Sequence, residues 1–153
     1  LNWSLYSGVS VLAGWIIITL IVFTSKRPLV IISGLMITTL SALFIIDILS
    51  AGQEWFLPAA LPITVAVFMA VVIVMIIYKY VNLKGLNVIA SGFIVLSGLL
   101  IIIEMVLDNY LKTNIDLRWS LIAAVSILPV ALLLFFYYYR LKKGKRLDSY
   151  FHV

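Results

Sequence analysis

The sequence predicts an all-α fold, a polytopic transmembrane helical bundle of five spans built from repeated αα-hairpins, and three observations predict it. Of the 153 residues, 65% are hydrophobic, the mean hydropathy is +1.22 and only 11% are charged, less than half the roughly 25% of an ordinary soluble domain. Crossing a hydrocarbon layer of about 30 Å takes roughly 20 apolar residues as a helix. Five stretches whose apolar cores lack Lys and Arg reach that length: residues 3–23, 29–49, 59–80, 86–107 and 119–139. They are too long and too uniformly apolar for the alternating strands of a barrel, and backbone amides in hydrocarbon need the internal partners a helix provides. The third observation is a repeat. Leu1 to Leu12 reads LNWSLYSGVSVL and Leu117 to Leu128 reads LRWSLIAAVSIL, identical at seven of twelve positions. A weaker copy lies mid-chain, where Phe44 to Leu49 (FIIDIL) runs into Glu54 to Leu57 (EWFL), so that Asp47 and Trp55 correspond to Glu104 and Trp119. A repeated helical hairpin explains the pattern.

Taken in order, the first span opens at Trp3, and its Ser10 and Gly14 form a four-residue stripe of small side chains expected to contact another helix. The second carries the matching stripe Gly34, Thr38 and Ala42, with Thr24 or Ser25 as a helix cap and Pro28 in its first turn, where a missing amide costs nothing. Pro58 and Pro62 open the third span in the same way. The fourth ends in acid, IIIEMVLDNY. The fifth holds Pro129 about ten residues in, which denies a donor to the Val125 carbonyl and predicts a kink, with Ser126 close enough to help satisfy the freed backbone. Residues 140–153 form a basic tail.

The connections alternate in charge. Nine of the eleven basic residues (Lys26, Arg27, Lys79, Lys84, Arg140, Lys142, Lys143, Lys145 and Arg146) fall on one side. The other has Lys112 and Arg118 together with Asp47, Glu54, Glu104, Asp108 and Asp116. The positive-inside rule makes the first side cytoplasmic, so residue 1 lies outside and the C-terminus inside a cell membrane. Trp3, Trp55 and Trp119 then sit at the outer level as interfacial anchors, with Tyr110 beside them and Tyr78, Tyr80 and Tyr137 to Tyr139 at the inner level. The chain opens inside a repeat unit with no basic n-region, which is not a signal peptide and leads us to expect a further helix upstream.

Ionisable groups inside a span are costly and are functional candidates by default. Asp47 and Glu104 occupy equivalent places near the outer ends of the second and fourth spans, Asp108 follows Glu104 by one turn on the same face, and Arg118 is the counter-charge. Two readings of this set stand side by side. The four residues line a shallow acidic binding or gating site, or the carboxylates cap the Trp-starting helix of the next hairpin and pair with Arg118. No cysteine is present and the single His152 is next to last, so neither a metal site nor a cofactor is expected. There is no HExxH, Gly-x-Ser-x-Gly or phosphate loop, and no catalytic residue is assigned. The basic tail is a topology signal that also meets anionic lipids, and the net charge of +5 needs no nucleic acid.

The Trp-Ser-Leu helix starts, the segment GQEWFLPAALPI and the run IIIEMVLDNY followed by IDLRWSLI resemble a family of uncharacterised bacterial membrane proteins in which an N-terminal zinc ribbon joins a six-helix membrane domain. The resemblance spans nearly the whole chain, which has no zinc-ribbon cysteines, and it implies no reaction or substrate. The expected role is a non-enzymatic sensor, scaffold or partner-binding membrane subunit, embedded in the bilayer with a protein partner or a second copy. The alternative is a small transporter or ion-coupled permease using Asp47 and Glu104. A third reading is capture of an extracellular cationic peptide or lipid at the acidic rim.

Overall fold

The computed structural model describes residues 3–24, 27–50, 54–80, 85–111 and 118–148. It contains α1 (Trp3–Phe23), α2 (Pro28–Leu49), a π-helical turn (Phe56–Ala60) leading into α3 (Leu61–Tyr80), α4 (Leu86–Tyr110) and α5 (Trp119–Asp148). The fold is all-α, with no strand among the described residues, and each of the five helices is long and apolar enough to cross a membrane. Lys26, Lys84, Lys112, Asp116 and His152 lie outside the described residues, as does Ser25.

Helix starts differ from expectation where proline and backbone chemistry decide them. Arg27, not Thr24, is the residue before α2, and the Arg27 side chain makes no capping bond. Thr24 contributes its carbonyl, which accepts the Arg27 N–H at 3.0 Å, while Pro28 occupies the first turn as expected. The third span begins three residues earlier than the sequence suggests. The Trp55 carbonyl accepts Ala59 N–H at 3.1 Å and Ala60 N–H at 3.2 Å, and Leu61 N–H donates to Phe56. Pro62 has no N–H with which to close an α-helical bond onto Pro58, and the wide turn carries the chain across this gap. Ahead of α4, Gly85 has φ of 136°, a left-handed conformation open to glycine, and its carbonyl accepts Val88 and Ile89 N–H at 3.0 and 3.2 Å.

α5 runs continuously through Pro129 and on to Asp148, so the backbone of residues 140–148 is helical. The Ser126 hydroxyl donates to the Ile122 carbonyl at 2.7 Å and therefore does not serve the Val125 carbonyl that Pro129 frees. Most described serines and threonines of the spans bond back in this manner to a carbonyl three or four residues earlier, among them Ser10, Thr19, Thr38, Ser41, Ser91 and Ser97.

The chain divides into two compact units, Leu1–Met69 with Val106–Asn114, and Ala70–Met105 with Ile115–Val153. In the first, α1 and α2 pack as an antiparallel hairpin. Gly34 lets them approach, since a Cβ built there would stand 3.0 Å from Leu20 Cδ1. Thr38 is buried, and a groove of about 190 Å³ runs between Val9, Ala13, Ile16, Thr38, Ala42 and Ile45. The Gly34, Thr38 and Ala42 stripe thus faces α1 as expected. Its partner is the row Val9, Ala13, Ile16 and Leu20; Ser10 is exposed, and a Cβ on Gly14 would meet nothing within 4 Å. No residue of α1 is buried, which suits a helix with lipid around much of its circumference. In the second unit the buried positions are Ala90, Glu104, Ser120, Ala124 and Ala131. Apart from the glutamate these are small, as close helix packing in lipid requires.

Candidate functional site

The first turn of any helix leaves backbone N–H groups without intrahelical acceptors, and its dipole favours negative charge there. Where such a start is buried, the need is acute, because water does not reach the orphaned donors. Neither α3 nor α5 carries an acid in its own first turn, and α5 is preceded by Arg118, whose charge has the wrong sign for that end. In both cases the preceding helix supplies the carboxylate.

Glu104 does so on α4. Its Oε1 accepts the N–H groups of Arg118 at 3.1 Å and Trp119 at 3.3 Å, and its Oε2 accepts the N–H of Ser120 at 3.0 Å. The Ser120 hydroxyl also donates to Oε2. Glu104 is 2% exposed and Ser120 fully buried. Four donors converge on one carboxylate, which is charge-assisted bonding of the strong kind and joins α4 to the start of α5.

Asp47 does the same for the second hairpin, with less. Its Oδ1 accepts the N–H of Trp55 at 3.1 Å and of Phe56 at 3.2 Å. Phe44, one turn earlier on α2, sets its ring against the buried Phe56 in an edge-to-face contact with centroids 5.3 Å apart. Phe56 is thereby held at its amide by the aspartate and at its ring by the phenylalanine.

Of the residues the sequence singled out, Asp47 and Glu104 are each placed against the amides of a Trp-bearing helix start. Arg118 enters through its backbone N–H, and Asp108 lies half-buried in the last turn of α4. Trp3 is 74% and Trp119 47% exposed, whereas Trp55 is half-buried. Sequence reasoning missed Ser120, although a signal was present: Trp119 is followed by serine, Trp55 by Phe56. A serine there adds a hydroxyl donor, and the carboxylate it meets is the one using both oxygens.

No family model, curated protein or solved structure matches the chain.

Proposed function

We propose that this chain is a non-enzymatic, multi-pass membrane subunit that serves as a scaffold or partner-binding element, with residue 1 outside the cell membrane and the C-terminus in the cytoplasm. In this reading Asp47 and Glu104 are structural clasps that fix successive hairpins, and the work of the protein is done by the faces it presents to lipid and to other helices. The supporting observation is the engagement of Glu104, whose two oxygens both accept donors at the start of α5. A gating carboxylate must exchange partners with a passing ion or proton, and each exchange here would orphan the buried Ser120 amide. The hydroxyls bonded back to their own helices add to this, since they offer few free polar groups at mid-span. The bacterial zinc-ribbon family remains the kinship we propose, on its motifs alone.

Reconstitution into vesicles tests this reading. Wild-type protein should pass protons, sodium and potassium no faster than protein-free vesicles. Flux above that background that disappears in both Glu104→Gln and Asp47→Asn would establish a permease instead.

A further inference from the structure

We propose that the start of α1, with the face that continues from it, is a docking site for another membrane helix that carries a carboxylate near its outer end. The internal repeat supplies the comparison. Trp3, Ser4 and Leu5 correspond to Trp119, Ser120 and Leu121, and the two copies share local geometry, since the Ser10 hydroxyl donates to the Tyr6 carbonyl as that of Ser126 does to Ile122. In α5 the Trp-Ser start holds a carboxylate through both amides and the serine hydroxyl. In α1 no acid lies in the first turn, Trp3 and Ser4 are exposed, and their amides and the Ser4 hydroxyl meet no acceptor among the described residues.

A buried face of α5 recurs as an open face of α1. Ser120, Ala124 and Ala131 are all buried along one side of α5. Their counterparts Ser4, Gly8 and Trp15 are all exposed on α1, and a Cβ on Gly8 would meet nothing within 4 Å. At about 100° per residue this side centres roughly 130° from the row Val9, Ala13, Ile16 and Leu20 that meets α2, so α2 leaves it uncovered. Trp15, 67% exposed, stands about 18 Å along the helix from Trp3. That depth lies within hydrocarbon, whereas a tryptophan facing lipid belongs at the interface. α5 shows what such a face accepts: a neighbouring helix whose carboxylate stands level with the Trp-Ser pair. A second copy of this chain is poorly suited, because its Glu104 already commits both oxygens to its own α5. The site gives the partner-binding reading the chemistry of its partner and rests on that reading. Vesicle flux tests the reading and amide exchange tests the site, so either can fail alone.

The test places the whole chain in bicelles with a synthetic helix of the α4 sequence, Leu86–Tyr110, as probe, and reads amide hydrogen exchange at Trp3 and Ser4. In the chain alone both amides should exchange freely. Excess probe should slow them by about tenfold or more, as bonds to a charged acceptor do. A probe with Glu104→Ala should leave them fast, and Ser4→Ala in the chain should weaken the protection that the unaltered probe gives to Trp3. Unchanged exchange with the unaltered probe overturns the proposal, and equal slowing by both probes overturns the carboxylate. Protection in the chain alone that fades on dilution would show a second copy in the site instead.

Discussion

Amidation should separate the two clasps. Glu104→Gln and Asp47→Asn are the same chemical change, yet the structure predicts unequal consequences. In Glu104→Gln the new side chain offers one oxygen and one amino group where the carboxylate holds two acceptors. Turned so that its oxygen serves Arg118 and Trp119, the glutamine sets its amino group against Ser120. The Ser120 hydroxyl can rotate to accept, but the Ser120 N–H cannot. Turned the other way, it strands two amides. The better arrangement still leaves the buried Ser120 amide without an acceptor, and such a loss costs about 1–3 kcal/mol. In Asp47→Asn the side chain keeps its single working oxygen for Trp55 and Phe56, and asparagine is as good a capping residue as aspartate. The cost of this change should stay below about 0.5 kcal/mol, the scatter of ordinary surface substitutions. Titration of the purified protein from mild detergent into dodecyl sulfate, followed by circular dichroism, measures both. Equal destabilisation of the two variants, or a larger effect of Asp47→Asn, would refute the reasoning.

Ser120→Ala removes only the hydroxyl donor to Glu104 and should cost about 1.5–3 kcal/mol, as bonds to a charged acceptor do; the same titration detects it, and a neutral result counts against the fourth bond. Gly34→Val should destabilise the α1–α2 hairpin by about 1–3 kcal/mol through overpacking against Leu20, while Gly14→Ala, with open space around it, should be neutral or stabilising in thermal unfolding. Phe44→Ala should expose Phe56 to its surroundings, read as faster proteolysis of the segment joining α2 to α3. For sidedness, a single cysteine in place of Glu54 should react with an impermeant maleimide added outside intact cells, and one in place of Lys143 should react only after the membrane is opened.

The spans are legible because their signal is bulk hydropathy, which needs no partner to be read, and four of the five helix starts fall within one residue of expectation. The exception, at Phe56, depends on how Pro58 and Pro62 share a wide turn, a matter of backbone pairing invisible to composition. The face of α1 escapes the sequence for a different reason. This helix is apolar all round, so periodicity does not select a side, and the small residues Ser10 and Gly14 draw attention from the row ending at Leu20 that meets Gly34. The equivalence of Asp47 and Glu104 is visible as a repeat. Their difference is not, because it depends on how many oxygens each carboxylate commits and on a serine one residue past a tryptophan. Side-chain type offers Thr24 or Ser25 as the cap of α2; Ser25 lies outside the described residues, and Thr24 enters through its carbonyl, which accepts the Arg27 N–H.

Amide hydrogen exchange at Trp119 and Ser120 reaches the central claim most directly. First-turn amides without acceptors exchange freely, whereas those held by Glu104 should be protected in the wild-type protein, and Ser120 should lose its protection in Glu104→Gln. Fast exchange at Ser120 in the wild type, or protection unaffected by the substitution, would contradict a carboxylate from one helix closing the start of the next.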